Sequence, residues 1–553
     1  MNEAATVQRP PRAHHEPPVL LQVRESAQAL IDAGKVDEAF ELLVATLGTV
    51  LHQKRDLELL VAKLRKERVG KRSEKIDLGQ LSLLFDEMIE SEQASEEFVI
   101  DAEEEAQEDA KLDEEIKQAE AEVGSKDSPK RRRRRGGVRG RNVRKEVEHR
   151  KVPEEERTCH CGRLKDHVGE DISRWLEYVP AHIIEHEVHK EIVACSFCKD
   201  GVTTAEGPSK VIARSPASAS LLAHLVVSKY HDHLPLHRLH RMYARIGLEL
   251  PVSTMADWLL AVATLLLPVI DALAKQVLSA YVVRTDATGL KVLDHTSPEN
   301  IERGTIWCYV GDDWDVLFRY APTGEGASGP WEFLAGREGY VQADAANIFD
   351  RLFNGKVANA IELGCWSHGR RKFSALIDTD CRVAYPLRLI ARLYRIEHLA
   401  DARRLSFEER AALRKERSQP VLNKLKRWLV INQKSEPPST NMAKAIAYHI
   451  NHWEALGRFV ADGRLSLDNN VCEQQMRDIA LGRKNYLFAG SHQAAERSAV
   501  LYSLMRTCAQ HKISPLPYLT DVITKISSGW PRGRIDELLP GNWKILHGKD
   551  SLQ

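Results

Sequence analysis

Apolar residues recur every seven positions near the start of the chain, in two offset series. The series are Phe40, Leu47 and Val61 on one seam position and Leu43, Val50, Leu57 and Leu64 on the other. Lys54 interrupts the first series and Arg68 ends it. The repeat is typical of a self-association helix of the coiled-coil kind, and it equally fits an ordinary amphipathic helix packed on its own chain. In the first case, the chain forms a homo-oligomer through this helix.

The apolar pattern takes a helical period between Ser215 and Ala274. It opens with a stripe of apolar residues, made of Leu221, Leu222, Leu225 and Val226. Gly247 interrupts the pattern, and Ser253 or Thr254 can cap the helix that follows. A helix, a glycine turn and a capped helix outline a helix-turn-helix, although any helical bundle contains such turns. The pattern therefore predicts a helical region with the outline of a helix-turn-helix.

The longest apolar stretch of the chain runs from Trp258 to Ala274. Pro268 and Asp271 interrupt this stretch. A helix that spans a bilayer needs about 20 consecutive apolar residues. We therefore predict a buried pair of helices here rather than a membrane span.

Short apolar runs bounded by turn residues predict strands after residue 278. The runs are Tyr281–Thr285, Thr305–Val310, Val316–Tyr320, Tyr340–Ala343 and Val357–Leu363. The first three follow one another closely and predict an antiparallel meander, whereas the last two alternate with helical segments, as in an α/β sheet. A long helical stretch follows from Lys372 to about Val460, with a polar break at Lys434–Ser439.

Charge is balanced over the 553 residues, with 79 basic and 79 acidic side chains, but it is strongly segregated. Glu90 to Glu122 is mostly acidic, and Lys130 to Lys145 is mostly basic. An unbroken arginine run lies inside the basic block, consisting of Arg131, Arg132, Arg133, Arg134 and Arg135. Blocks of like charge repel internally, so we predict a disordered acidic linker and basic arm over 90–150. The arm would release counterions on meeting a phosphate backbone, and the acidic block could compete for the arm within the same chain.

The nine cysteines and the lack of a secretory leader predict a reducing compartment, the cytoplasm. Two cysteine pairs lie in 151–212, namely Cys159 with Cys161 and Cys195 with Cys198. Four thiolates in such pairs predict a zinc ribbon, with Zn²⁺ in a tetrahedral site. The Cys-x-Cys pair is tighter than a usual knuckle, and His160 could replace one of its ligands. A ribbon fold without metal is the alternative.

Three acidic residues stand where charge is costly unless something compensates it. Asp286 and Asp344 each end a strand-like run, and Glu473 lies just inside a helical stretch. Three carboxylates make an all-oxygen cage of the kind that Mg²⁺ prefers, and a pair of such ions serves in-line phosphoryl displacement. From spacing alone, isolated turn or capping acids are the favoured interpretation, because Asp after a strand is ordinary turn chemistry.

Several longer motifs carry a family resemblance. They are Gly70–Lys75, Lys229–Leu236, Cys365–Phe373, Asp468–Asn470 with Glu473, Gly482–Ser491 and Glu537–Pro540. With the heptad helix and the cysteine pairs, these segments resemble the large transposase of the insertion-sequence 66 family of bacteria, over nearly the whole chain.

The resemblance implies a multidomain α+β fold. Its expected regions are an N-terminal helical or zipper region at 1–89, a linker and arm at 90–150, a zinc-ribbon-like module at 151–212, a helix-turn-helix-like DNA-binding region at 213–277, a ribonuclease-H-like α/β catalytic domain at 278–510 with a helical insertion at about 374–465 before the last acid, and a C-terminal segment at 511–553.

The resemblance also raises the three acids to a catalytic triad that holds two Mg²⁺ ions, with Mn²⁺ as the alternative. Asp286 would bridge both ions, and Asp344 and Glu473 would hold one each. The chain departs from the family pattern after both aspartates. Asp286 opens Asp-Ala-Thr-Gly where the family often has Asp-Glu-Thr-Pro, and two alanines follow Asp344 where a Gly-Tyr pair is common.

Other residues of the motifs are expected to support this site. The predicted DNA-contacting residues are Arg370, Arg371, Lys372, Arg483 and Lys484. They would grip phosphates, or form the solvated faces of helices. His368 would assist proton transfer, orient a phosphate or make a structural hydrogen bond. Asn469 and Asn470 are predicted to cap the helix of Glu473.

The expected function is that of a DNA transposase. It would bind the terminal inverted repeats of its insertion sequence and catalyse metal-dependent strand cleavage and strand transfer, near the nucleoid and without a membrane. Two small accessory proteins encoded beside it are the expected partners. A structure-specific nuclease and a catalytically silent DNA-binding regulator of the same fold are the alternatives.

Overall fold

A computed structural model describes residues 102–126, 182–194, 202–344 and 346–548, with a few isolated positions between 27 and 40. The chain divides into two compact units. The smaller unit contains 370–391 and 436–445 besides residues up to 105, and the larger one contains the rest.

The described elements are mostly helices. The helices are α1 Ala102–Lys126, α2 Ala219–Tyr230, α3 Leu236–Arg245, α4 Val252–Leu265, α5 Leu267–Ser279, α6 Pro330–Phe333, α7 Asp350–Phe353, α8 Trp366–Ser374, α9 Ala384–Ala402, α10 Phe407–Leu413, α11 Gln419–Ser435, α12 Asn441–Asn451, α13 Trp453–Gly457, α14 Asn470–Tyr486, α15 His492–Gln510, α16 Pro515–Ser527 and α17 Pro540–His547. The strands are β1 Ile192–Ala194, β2 Val202–Thr204, β3 Val282–Leu293, β4 Ile301–Gly311, β5 Asp315–Ala321, β6 Tyr340–Gln342 and β7 Ile361–Leu363.

The larger unit contains a five-stranded sheet in the order β5-β4-β3-β6-β7. β3, β4 and β5 pair antiparallel, as the predicted meander requires. β6 and β7 continue the sheet in parallel from β3, which confirms the predicted change to an α/β arrangement. The carboxyl ends of β6 and β7 therefore lie at the same edge of the sheet, whereas β3 continues for nine residues beyond its last pair with β6.

Helices α2 to α5 do not form a core of their own. Their buried residues join one continuous hydrophobic cluster with the strands and with α15 and α16. The predicted DNA-binding region 213–277 and the predicted catalytic region therefore share a core, and the boundary expected between them separates elements rather than independently packed domains.

The outer edge of β5 is covered by helix α15. The Ser503 and Thr507 hydroxyls accept hydrogen bonds from the Phe318 and Val316 backbone amides, at 2.8 and 3.0 Å. The Thr507 hydroxyl also donates to the Val316 carbonyl at 3.0 Å. Helix side chains thus take the place of a further strand at this edge.

The apolar stretch predicted as a buried helix pair forms α4 and α5, most of whose apolar residues are buried. No single helix in the described part of the chain is long and apolar enough to cross a bilayer. These two helices together pass that test of length and composition, with a bend of 51° between them.

Two local predictions are wrong. Where the structure describes the acidic linker that was predicted to be disordered, it forms a 25-residue helix over Ala102–Lys126. Helix α4 begins after Pro251, without a side-chain cap, so neither Ser253 nor Thr254 caps it. Pro251 has extended dihedral angles, and the helix starts two residues earlier than a Ser253 cap would place it.

Several predictions concern residues outside the described part of the chain. These are the heptad seams from Leu43 onward, the arginine run Arg131–Arg135, and the four cysteines Cys159, Cys161, Cys195 and Cys198. Strands β1 and β2, which flank Cys195 and Cys198 in sequence, pair antiparallel.

The helical insertion has the predicted polar break, since α11 ends at Ser435 and α12 begins at Asn441. In the larger unit, Arg414 is 1% exposed and binds both oxygens of Glu397 at 2.7 and 2.8 Å. Its guanidinium also donates to the Phe459 and Asp462 carbonyls. In the smaller unit, Arg382 pairs with Asp380 and Glu436 at 2.6 and 2.8 Å.

We predict that Gly364→Ala lowers the free energy of unfolding by about 1–3 kcal/mol, the usual cost of overpacking. Gly364 follows β7, and a Cβ there would lie 2.9 Å from the Leu456 backbone nitrogen. Urea unfolding measures the change. Gly457→Ala is the control, because a Cβ at that helical position meets nothing within 4 Å. Equal unfolding midpoints for the two variants would contradict this close packing.

Candidate active site at the ends of the parallel strands

Two of the predicted acids follow the paired segments of the adjacent parallel strands β3 and β6. Arg284 lies opposite Gln342 in the parallel register, and Asp286 and Asp344 each follow two residues later. Side chains alternate along a strand, and paired strands lie roughly 4.8 Å apart. Asp286 and Asp344 therefore each lie two residues beyond the last pair of the adjacent strands β3 and β6.

The third acid, Glu473, lies in the first turn of α14, whose start is fixed against the same strands. The Asn469 side chain is fully buried and donates to the Thr285 carbonyl at 3.0 Å, next to Asp286. One residue before Glu473, the Cys472 thiol lies 3.9 Å from the Cys308 carbonyl. Cys308 is the residue opposite Asp286 in the β3–β4 pair. The helix start is thereby held beside Asp286.

A buried polar network lies beneath the acids. The Arg284 Nε donates to Gln342 Oε1 at 3.0 Å, and its Nη1 pairs with Asp313. The Gln342 Nε2 donates at 3.1 Å to the carbonyls of Gly364, after β7, and Ser466, before α14. Burial lowers the pKa of Arg284 to about 10, so the guanidinium keeps its charge at neutral pH. This cation lies two residues before Asp286 on the same strand.

Besides the Arg284 cation, other ionisable groups lie near the three acids. Burial raises the pKa of Asp468, and the Glu473 carboxylate raises it further. Burial raises the pKa of the Cys472 thiol well above its usual value, and the charge of Asp286 contributes. The thiol therefore stays protonated and neutral.

His368 lies close to the third acid, with its Nε2 3.8 Å from Glu473 Oε1. Both side chains are about one-fifth exposed. A small movement of either side chain would bring the two groups within reach of an ion pair or a hydrogen bond. This arrangement fits the supporting role predicted for His368.

The donor set of the three acids suits a hard divalent cation, because it consists of carboxylate oxygens on partly exposed side chains. Within the described residues, their ligand atoms do not all lie within 4.8 Å of one another. Ligands shared between two ions 3.5–4 Å apart need not meet that spacing.

The predicted basic residues lie on two helices. Arg370, Arg371 and Lys372 are on α8, in the smaller unit. Arg483 and Lys484 are in the last turn of α14, and Arg483 bonds the Gly289 carbonyl of β3. Ten residues of helix separate Arg483 from Glu473, which is roughly 15 Å along the axis.

The predicted caps of α14 act differently from expectation. Asn469 stands at the N-cap position but makes no capping bond, because its side chain reaches across to β3 instead. Asn470 is the first helical residue, and its side chain donates to Asp468 at 2.6 Å. Both asparagines therefore fix the loop before α14 rather than cap the helix.

A second acidic group was not predicted from the sequence. Asp294, Glu302 and His492 have ligand atoms within 4.8 Å of one another. The His492 Nε2 lies 3.5 Å from Asp294 and 3.4 Å from Glu302, and its Nδ1 lies 2.7 Å from the Tyr320 hydroxyl. Eight residues of strand separate Asp294 from Asp286, which is about 26 Å. The same spacing also suits a protonated imidazole held between two carboxylates.

Comparison with known families gives three matches. The family model described as Transposase IS66 family matches residues 214–497, and the IS66 C-terminal element matches residues 503–540. The model described as Transposase C of IS166 homeodomain matches residues 56–142. Together these matches cover most of the chain, and the first contains all three acids.

Proteins of Sinorhizobium fredii are similar over most of their length. The uncharacterized protein y4hP is 31% identical over 520 residues, which is 88% of each chain. The uncharacterized protein y4jD is 32% identical over 411 residues, which is 71% of this chain and 79% of the relative.

We predict that Asn469→Ala lowers the free energy of unfolding by about 1–3 kcal/mol, because a buried hydrogen-bonding partner is removed. Urea unfolding gives the value. Asn485→Ala is the matched control, since Asn485 is exposed on the same helix and bonds only the Leu481 carbonyl in its own helix. If both variants unfold at the same urea concentration, Asn469 does not anchor α14.

Proposed function

Because the chain belongs to the IS66 family of transposases, we propose that it binds the terminal inverted repeats of its insertion sequence and catalyses metal-dependent cleavage and strand transfer of DNA. The observation that supports the proposal is the parallel pairing of β3 with β6, whose last pair lies two residues before Asp286 and Asp344, together with the Asn469 side chain that anchors the helix of Glu473 to Thr285.

The strand order supports a ribonuclease-H-like catalytic domain. Three antiparallel strands continue into two parallel ones. Each aspartate lies two residues beyond the last pair of the adjacent parallel strands β3 and β6. The helical segments α9 to α13 lie between the second and third acids in sequence, as the proposed insertion requires.

The family implies the use of divalent metal ions. Asp286 would bridge two ions, taken to be Mg²⁺ with Mn²⁺ as the alternative, and Asp344 and Glu473 would hold one each. When bound, such a pair stabilises the negative charge that develops on the attacking and leaving oxygens of an in-line phosphoryl displacement.

The chain's own groups have positioning and binding roles in this chemistry. Water attacks phosphorus in cleavage and a DNA 3′-hydroxyl attacks it in strand transfer, while an oxygen of the broken phosphodiester leaves, so no protein nucleophile is required. His368 would hold the Glu473 carboxylate in orientation from 3.8 Å. Arg284 and Gln342 would keep β3 and β6 in register beneath the aspartates.

DNA recognition would involve several regions. The α3–Gly247–α4 segment has the outline of a helix-turn-helix, and Arg483 and Lys484 are available to phosphates at the end of α14. Arg370, Arg371 and Lys372 are proposed as further phosphate-binding residues. The cysteine pairs would form a structural zinc ribbon, the heptad helix would join copies of the chain, and two small accessory proteins would assist.

We predict that Asp286→Asn, Asp344→Asn and Glu473→Gln each reduce cleavage at the element ends at least about 100-fold, the loss typical of removing one electrostatic stabiliser. Binding to the same DNA should stay within a few-fold of wild type. A gel-shift assay and a plasmid-cleavage assay with and without Mg²⁺ measure the two properties.

The matched control for these variants is Asp271→Asn, which neutralises an exposed carboxylate on α5. Full cutting by any of the three acid variants would refute the assignment of that acid. Cutting of DNA junctions or RNA–DNA hybrids without a preference for element ends would instead indicate a structure-specific nuclease. Binding without cutting by the wild-type protein would indicate a silent regulator.

A separate prediction concerns the basic arm. Deletion of Lys130–Lys145 should weaken binding to every DNA sequence and flatten its salt dependence, by about 0.9 in the slope of log K against log salt for each phosphate that the arm neutralises in the full chain. Fluorescence anisotropy at several salt concentrations measures the slope. An unchanged slope would rule out this role for the arm.

A further inference from the structure

The acidic helix α1 lies against basic residues of the helical insertion. Its 25 residues include ten acidic and three basic side chains. Most of the cations that it meets come from the sequence 392–424, almost three hundred residues later. We call this set the basic face; its members are Arg392, Arg395, His398, Arg403, Arg417 and Lys424.

The interaction is a network of charge pairs rather than a single one. The pairs are Arg392 with Glu108 at 2.5 Å and Asp109 at 2.7 Å, Arg395 with Asp109 at 3.0 Å, Arg403 and Arg417 with Glu115 at 3.0 Å each, His398 with Glu120 at 3.0 Å, and Lys424 with Glu108 at 3.4 Å.

The acidic residues of these pairs follow one side of α1. They flank Leu112, Ile116 and Ala119, which are buried and recur at helical spacing. The helix therefore presents a narrow apolar seam with carboxylates on its margins. Glu114, by contrast, is exposed and, within the described part of the chain, forms none of these pairs.

Most of the basic face remains accessible to water beneath the helix. The Arg392 side chain is 4% exposed, but those of Arg403, Arg417 and Lys424 are 40%, 32% and 36% exposed. Exposed ion pairs contribute little to stability and are screened by salt. The α1 carboxylates that pair with these partly exposed cations can therefore be replaced by another anion without disrupting buried apolar packing.

A set of this many cations on neighbouring helices suits a polyanion. Arginine forks bind phosphate with the same planar geometry that they use for carboxylate. Duplex DNA carries one negative charge per ≈ 1.7 Å of its axis, and each neutralised phosphate also releases condensed counterions. The phosphates of DNA can thus bind the cations of the basic face as the carboxylates of α1 do. Counterion release makes the binding free energy with DNA more favourable.

We propose that the basic face is a binding surface for the phosphate backbone of duplex DNA, and that α1 covers it when DNA is absent. The inference rests on the proposed function for the identity of the polyanion. DNA displaces the carboxylates of α1 from Arg403, Arg417 and Lys424, and the helix competes with nonspecific duplex. The protein therefore engages DNA through this face only where other interactions add affinity.

Glu115→Gln tests the proposal, because Glu115 neutralises Arg403 and Arg417 together. Anisotropy measures binding of the full chain to a fluorescent duplex without terminal repeats, in EDTA, at several salt concentrations. The variant should bind roughly two- to fivefold more tightly, the factor that one surface ion pair supplies. Its salt slope should steepen by about 0.9 for each additional phosphate that the variant neutralises.

Glu114→Gln is the matched control, since it makes the same charge change at the neighbouring position. It should leave affinity and slope unchanged. The tighter binding of Glu115→Gln should disappear in Glu115→Gln/Arg417→Gln, which removes one of the released cations. Glu108→Gln provides an independent variant, because Glu108 faces Arg392 and Lys424, and it should also tighten binding.

Equally tighter binding by Glu114→Gln and Glu115→Gln would overturn the proposal, because net charge alone would then explain it. Unchanged binding by Glu115→Gln and Glu108→Gln would also overturn it, while leaving the proposed transposase function intact. No duplex binding by wild type or any variant would overturn both. Since EDTA prevents metal-dependent cleavage, a catalytically inactive chain gives the same readout.

Discussion

The buried amide of Gln342 is the constraint on which the acid site depends. This side chain is fully buried and joins Arg284 of β3, the Gly364 carbonyl after β7 and the Ser466 carbonyl before α14. An apolar side chain of the same size would leave two partly buried carbonyls and a buried guanidinium with fewer partners, which is costly. The network therefore fixes both the ends of the strands and the position of the helix that carries Glu473.

The sheet was predictable from the sequence because its strands are short apolar runs separated by turn residues. Tyr281–Thr285 and Val316–Tyr320 both fall within or next to observed strands, and the change from antiparallel to parallel pairing followed from the helical segments between the later runs. The register of β3 with β6 could not be predicted from the sequence, because several registers satisfy the same apolar pattern.

The acid site is only partly readable from the sequence. Spacing alone favours isolated turn acids, and only the motifs around Asp286, Asp344 and Glu473 point to a shared site. The buried hydrogen bonds of Asn469 and Gln342 escape prediction because polar residues in loops and strands carry no pattern that reveals a partner across the sheet. The charge of helix α1, considered alone, predicts a disordered linker, whereas its countercharges lie on distant helices. Asp294, Glu302 and His492 escape prediction for the same reason, since nearly two hundred residues separate the histidine from the aspartate.

The edge of β5 has a consequence for how copies of the chain can meet. Exposed strand edges are templates for intermolecular pairing and for fibrous aggregation. Here the hydroxyls of Ser503 and Thr507 occupy the outward backbone groups of Phe318 and Val316. In the folded chain, α15 therefore blocks intermolecular strand pairing at these two positions of the β5 edge.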